Sequence, residues 1–329
     1  MARIVRFHSL GGPEVLQIEE ADIPPPGPGE LGLRMEAIGL NRAESRFRLG
    51  LYLDETRLPA RLGYEGAAIV EAVGAGVNGF AAGDAVCVIP AFSMNDYAVC
   101  GERAVVPARA VVPRPAGLSA VEAAAVPMQY LTAWGGLNDI AGIGLGDAVI
   151  IPAASSSVGL AAIQLANAAG ATPIAATRTS AKRQALLDAG AAHVIATEEQ
   201  DLVAEVMRIT GGAGARIAFD PVGGPTFAKL ADAMAPHGII LFYGGLANAP
   251  TALPRALLRK ALTVRGYTLF EYTSRPHRLH RAWKAVSHGL ATGKLHPVIA
   301  RTFPLDQVAE AHRFMESNEQ VGKIVITVP

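Results

Sequence analysis

A run of four apolar residues, Ala148-Val149-Ile150-Ile151, leads into a loop of small residues, Ala153-Ala154-Ser155-Ser156-Ser157-Val158-Gly159. A small-residue, apolar helix is predicted from Ser157 to Ala169, ending at Gly170. A strand without polar alternation fits a parallel sheet whose two faces are both covered. Gly170 suits the position just after a helix, where the chain turns left-handed. The pattern then recurs, with strands predicted over 173–177, 193–195, 216–219 and 238–242. Helices are predicted between them over 181–189, 202–209 and 226–234. Strict alternation of this kind constrains the segment to an α/β fold with a doubly wound parallel sheet.

The preceding ~120 residues have a different grammar. Short β-like runs over 32–38, 66–73, 84–89 and 97–106 are bounded by Gly, Pro or Asp, and the Pro-rich stretch 22–29 is a rigid connector. This part reads as an irregular β-barrel. After about residue 266 come two helices and a last strand over 323–328, which is expected to rejoin the first domain. The 329 residues suffice for two domains at roughly 100–200 residues each. The expected division is 1–122, 123–265 and 266–329, with the third piece belonging to the first domain.

Charge and cysteine usage narrow the partners. Lys plus Arg number 29 and Asp plus Glu 29, so no global field favours nucleic acid or an anionic membrane. Cys87 and Cys100 cannot frame a disulfide scaffold, and a cytoplasmic, reducing environment is expected. Residues 1–7 alternate apolar and charged side chains as a strand does, not as a secretory signal does. The apolar stretch 120–137 is interrupted by Glu122, Pro127 and Gln129, so no membrane span is expected. His277 and His280 lie one helical turn apart in a basic run, but a third ligand is missing and a solvated helix face is the simpler reading.

The loop at 153–159 carries the chemistry. Small residues between a parallel strand and a helix let the backbone approach a dinucleotide pyrophosphate, with helix N-terminal N–H groups facing the anion. Ser156, Ser157 and Val158 are the expected contacts; a plain helix cap is the bland alternative. An NAD site places a carboxylate about 20 residues past this loop, on the ribose 2′-hydroxyl. Here Arg178 stands 19 positions past Gly159, followed by Thr179, Ser180 and Lys182, with no carboxylate among them. Two cations beside two hydroxyls suit a 2′-phosphate, so NADPH is the expected cofactor. The alternative is that Arg178 and Lys182 are solvated charges at a helix start.

Further matches run along the whole chain: Gly63-Tyr64-Glu65-Gly66, Val73-Gly74-Ala75-Gly76-Val77, Phe80-Ala81-Ala82-Gly83-Asp84, Gln129-Tyr130-Leu131-Thr132-Ala133, Asp220-Pro221-Val222-Gly223-Gly224 and Gly322-Lys323-Ile324-Val325. In this order the chain resembles the medium-chain dehydrogenase/reductase superfamily, in its quinone oxidoreductase (zeta-crystallin-like) branch. The resemblance implies a GroES-like β-barrel catalytic domain split around a Rossmann domain, and a homodimer. It also implies that Gln129 and Thr132 flank a nicotinamide ring, that Gly244 and Gly245 close over the cofactor, and that Phe270 lies near the ring. Lys323 would reach a cofactor phosphate or stand as a surface charge.

Zinc-dependent members of that superfamily place a Cys near Leu40-Asn41 and a His where Tyr64 follows Gly63. Asn41 and Tyr64 are poor substitutes for those ligands, so no metal is expected. Without a Lewis acid an alcohol is a hard substrate, whereas a quinone or activated alkene spreads the incoming negative charge onto oxygen. Asn41, Tyr52 and Tyr64 fall where the family lines its cleft and are the candidate catalytic donors, Asn41 also touching the cofactor. Each tyrosine has a second reading as a packed aromatic, and water is an alternative proton source.

The expected activity is therefore NADPH-dependent hydride transfer to a quinone or α,β-unsaturated carbonyl, with a small hydrophobic acceptor as the partner. A pathway-specific enoyl reductase, a non-enzymatic NADPH-binding sensor or adaptor, and a zinc alcohol dehydrogenase are the alternatives.

Overall fold

The computed structural model describes residues 1–329. Contacts divide them into two compact units: residues 1–128, 272–281 and 297–329 form one, and residues 129–271 and 282–296 the other.

The second unit holds a six-stranded parallel sheet. Its strands, numbered here along the chain, are β1 (Ala148–Ile151), β2 (Thr172–Thr177), β3 (His193–Ala196), β4 (Ala215–Asp220), β5 (Met234–Phe242) and β6 (Thr263–Gly266). They lie in the order 3-2-1-4-5-6, the doubly wound arrangement. The core is aliphatic, because each strand is covered on both faces: Ile150, Ile174, Ile195 and Ile240 pack with Val206, Phe227 and Leu230 from the helices. The first five strands match the sequence pattern closely. β6 does not show in it, since Thr263 and Val264 are exposed on an edge where an apolar run is not required.

Two local differences matter. The predicted helix over 181–189 is a 3-10 turn at Ser180–Lys182 followed by a short helix at Arg183–Asp188. Residues 135–140 form a π-helical turn continuing the helix Pro127–Trp134, which no periodicity signals.

The first unit is built on a seven-stranded, mainly antiparallel sheet. The long strand Glu30–Gly39 is its axis, pairing with Glu65–Val73, with Arg103–Pro107 and with the last strand, Lys323–Thr327. The expected return of the chain's end to this unit is therefore seen. A strand over Ile299–Pro304 pairs parallel with the last one and was not expected. The predicted strand over 97–106 is regular only at Arg103–Pro107. Its first half instead makes single backbone bonds, Cys100 N–H to Leu62 O and Cys100 O from Val5 N–H.

Helix Val308–Ser317 packs on this unit with His312 wholly buried, and neither ring nitrogen has a hydrogen-bond partner. Burial first, then the Arg48 and Arg42 guanidinium charges, push its pKa down to about 3. Arg48 is itself salt-bridged to Glu316 on the same helix. The unfolded chain, with an ordinary histidine near 6.5, takes up the proton first. Stability is thus fully present above about pH 6.5 and is lost towards pH 3, by about 1.4 kcal/mol per pH unit from this group. Urea unfolding at pH 7, 6, 5 and 4 should show wild type losing ground steadily against His312→Leu; parallel curves would refute the role.

Candidate active site

In the first unit, strand register assembles a buried polar cluster. Gly39 lies opposite Glu65 on one side and Val325 on the other, so Glu65 and Lys323 converge next to Asn41. Gly39 is required there: a Cβ would sit 2.2 Å from the Ala124 carbonyl oxygen and 2.7 Å from Glu65 Oε1.

Lys323 and Glu65 are at most 1% exposed and form a salt bridge. Lys323 Nζ also donates to Asn41 Oδ1 at 2.7 Å. Asn41 Nδ2 has three acceptors in reach: Glu65 Oε1 at 3.0 Å, the Gly39 carbonyl at 3.1 Å and Glu44 Oε1 at 3.3 Å. Glu65 Oε2 receives the Met128 N–H at 2.6 Å, at the start of helix Pro127–Trp134.

This corrects two expectations. Asn41 heads helix Arg42–Arg48 without capping it. Its two amide hydrogens are outnumbered by buried acceptors, so it is spent inside the cluster and is no free donor to a substrate. Lys323 is not a surface charge, and its ammonium is turned to Glu65 and Asn41, not outward to a phosphate.

The sequence reading also missed Glu44 and Glu65. A Glu following Tyr64, paired in register with a Gly on the strand that also carries the chain's end, is visible only once the pairing is known. Glu44 is buried with them, and its pKa is pushed up to about 8, first by burial and further by Glu65, against the pull of Lys323, Asn41 and the Tyr64 backbone N–H.

Tyr52 and Tyr64 come together. Their ring centroids are 6.1 Å apart, and Phe92 lies 5.7 Å beyond Tyr64. Tyr64 is buried, its oxygen receives the Met94 N–H, and its hydroxyl donates to Tyr52. Burial raises both phenols, Tyr52 to about 12. Tyr52 is the less buried ring of the two. Leu49, Leu51 and Leu53, next to it in the sequence, are exposed and make its surroundings apolar.

In the second unit, β1 runs through Ala153, whose φ of +48° marks a tight left-handed turn, into helix Ser157–Ala168. Ser156 caps that helix by accepting the Gly159 N–H at 3.1 Å, while Ser157 and Val158 open its first turn. A Cβ on Gly159 would lie 2.5 Å from the Ala154 carbonyl oxygen, so only glycine lets helix and strand approach this closely.

Arg178 and Thr179 are exposed just beyond β2. Lys182 Nζ bonds Ser155 Oγ at 3.2 Å, joining the expected cation to a loop serine the sequence reading had passed over. No carboxylate stands among residues 178–182, but the fold brings one from a neighbouring turn. β2 and β3 pair with Thr177 opposite Ala196, so the turns after them are neighbours. Glu199 Oε1 accepts Ser180 N–H at 2.8 Å and Ser180 Oγ at 3.2 Å.

Gln129 is buried, and its Oε1 has no partner; its amide donates to Tyr130, whose hydroxyl donates to Gln164 at 2.8 Å. Thr132 is buried nearby in the sequence on the same helix, with its carbonyl receiving the Tyr267 hydroxyl at 3.1 Å. Gly244 and Gly245 follow β5, and a Cβ on Gly244 would meet the Pro221 carbonyl oxygen at 2.7 Å. Phe270 opens a short helix and is half-buried.

Comparison with known proteins decides the family. Residues 27–133 match the alcohol dehydrogenase GroES-like domain and residues 157–288 match the zinc-binding dehydrogenase domain. A 2-haloacrylate reductase from Burkholderia sp is 31% identical over 99% of this chain and 98% of its own. Quinone oxidoreductase 1 of Escherichia coli (strain K12) is 32% identical over 99% of both. The chain belongs to the medium-chain dehydrogenase/reductase family, in its quinone oxidoreductase branch. The crystal structure of Escherichia coli quinone oxidoreductase complexed with NADPH superposes with a TM-score of 0.91, at 32% identity, over 99% of each chain.

One domain description in this family names zinc, and the donor set here does not fit it. Nowhere do three or more His, Cys, Asp or Glu side chains gather to hold a metal ion. Beside Asn41 and Tyr64 the buried cation is the Lys323 ammonium.

The protonated Glu44 makes a prediction. Its pKa is near 4.5 unfolded and about 8 folded, so folding takes up a proton between those values. Its contribution is intact below pH 4.5 and is lost as pH rises towards 8. Glu44→Gln should gain on wild type by up to about 1.4 kcal/mol per pH unit across that window. Unfolding free energies at pH 5, 6, 7 and 8 that keep a constant difference would contradict it.

Proposed function

We propose that the protein is an NADPH-dependent oxidoreductase that delivers hydride to a quinone or an α,β-unsaturated carbonyl without a metal. The observation that carries this reading is the hydroxyl chain from Met94 N–H through Tyr64 to Tyr52, ending in apolar surroundings. The nicotinamide, when bound, supplies the hydride.

The residues of this chain do the rest. Ser156, Ser157 and Val158, at a helix N-terminus, suit the pyrophosphate. Arg178, Thr179, Ser180 and Lys182 suit the 2′-phosphate. The unpartnered Gln129 Oε1 suits a carboxamide N–H, with Thr132, Gly244, Gly245 and Phe270 around the nicotinamide half. Hydride arriving on the acceptor leaves negative charge on its oxygen, and the Tyr52 hydroxyl meets that charge. Aligned donors polarise one another, so Tyr64 strengthens Tyr52 as a donor. With its pKa near 12, Tyr52 donates a hydrogen bond while keeping its proton at neutral pH, and water completes the protonation.

A second reading, a reductase of conjugated acids or thioesters, is favoured by the likeness to the 2-haloacrylate reductase. The exposed edge strand Thr263–Gly266, with Val264 on it, supports a homodimer. Both cysteines are free and buried, which supports a cytoplasmic location. No helix is long and apolar enough to cross a membrane.

NADPH oxidation against a panel of quinones, enones, acrylates and enoyl thioesters tests the reading, and turnover of none of them would end it. Within the active class, Tyr52→Phe should lower kcat about 10²–10³-fold, the range for loss of one such donor, with the KM for NADPH unchanged. Arg178→Glu should instead raise the KM for NADPH far more than that for NADH; equal effects would remove the phosphate assignment.

A further inference from the structure

Glu199 is the one carboxylate that the fold brings to the Ser180 turn, and it lies there for a topological reason. β2 and β3 are parallel neighbours, and the turns leaving their carboxyl ends are knitted together: Thr197 N–H bonds Thr177 O at 2.8 Å and Glu198 N–H bonds Arg178 O at 2.9 Å. Glu199 then reaches both donors of Ser180, the backbone N–H at 2.8 Å and the hydroxyl at 3.2 Å, with a single oxygen.

These bonds hold the Glu199 carboxyl below its ordinary range, led by the Ser180 N–H, so it is ionised at neutral pH. The cation bearing on it is Arg183, whose guanidinium is occupied with the Val194 carbonyl and Gln200 Oε1, both at 2.8 Å. Lys182 is directed to Ser155. The turn thus contains an exposed fixed anion on the same serine donors that a phosphate would use.

We propose that Glu199 sets the coenzyme selectivity of this chain, its carboxylate occupying the Ser180 donors so that a 2′-phosphate must displace it while a 2′-hydroxyl need not. The inference rests on the NADPH reading above and deepens it. A phosphate carrying close to two negative charges is repelled by a carboxylate in its place and gains from Arg178 only after that carboxylate swings away. A ribose hydroxyl is neutral and can donate to Glu199. The wild-type preference for NADPH is therefore smaller than Arg178 and Lys182 by themselves would produce.

The test uses the intact protein and two probes that differ only in the 2′-phosphate, 2′,5′-ADP and 5′-AMP, with dissociation constants measured by calorimetry at low salt. Glu199→Gln and Glu199→Ala should both tighten 2′,5′-ADP by about fivefold or more while 5′-AMP changes less than about twofold, an effect of one nearby charge in a high-dielectric setting. The gain should shrink in 0.5 M salt, where screening is short-ranged. Unchanged or weaker 2′,5′-ADP binding in both variants, or equal tightening of the two probes, overturns the proposal. Arg178→Glu in the otherwise wild-type chain separates the two levels. If it leaves 2′,5′-ADP binding intact, the phosphate reading itself falls. If it weakens that binding while the Glu199 variants do nothing, only the selectivity role falls.

Discussion

A lysine ammonium and a glutamate carboxylate with almost no contact with water hold the first unit together. Lys323 opens the last strand of the chain, Glu65 opens a strand near its beginning, and Gly39 lies between them on a third. Two isolated charges there would each cost several kcal/mol of desolvation, so neither is tolerable without the other. Asn41 bonds both of them, and the Met128 N–H adds a further bond to Glu65. Burial settles the charge state of Glu44 beside them: it keeps a proton at neutral pH, with Glu65 adding to the effect and Lys323 opposing it.

This arrangement accords with the proposed role of the phenols. Metal-dependent relatives polarise a substrate oxygen with zinc; here the buried positive charge belongs to a side chain that is already neutralised, and it cannot serve an exposed oxygen. What remains is the Tyr64–Tyr52 donor chain, anchored by a backbone N–H and ending at the less buried ring. Donors of this kind suit acceptors whose negative charge develops on a delocalised oxygen, as in quinones and conjugated carbonyls. The exposed, apolar Leu49, Leu51 and Leu53 fit the same class of molecule.

In the second unit, the proposed cofactor selection is a balance of charges at the ends of adjacent strands. Arg178 and Lys182 are local in sequence to β2 and would favour a phosphate. Glu199, local to β3, opposes it from the neighbouring turn. Selectivity in such a site is the difference between two opposed terms, and neither can be read without the other.

The sequence alone was sufficient for the alternation of apolar strands and helices, because two covered faces demand uninterrupted apolar runs, and for the tight turn of small residues after β1, because a side chain at Gly159 would meet the Ala154 backbone. The Tyr52 and Tyr64 positions were legible through resemblance. Edge strand Thr263–Gly266 and strand Ile299–Pro304 were not, since edge positions carry no obligatory pattern. Long-range pairing decided the remainder: Lys323 meets Glu65 across 258 residues, and Glu199 meets Ser180 across a parallel sheet. Side-chain partners at that separation are set by register and strand order, and a one-dimensional pattern of residue types contains neither.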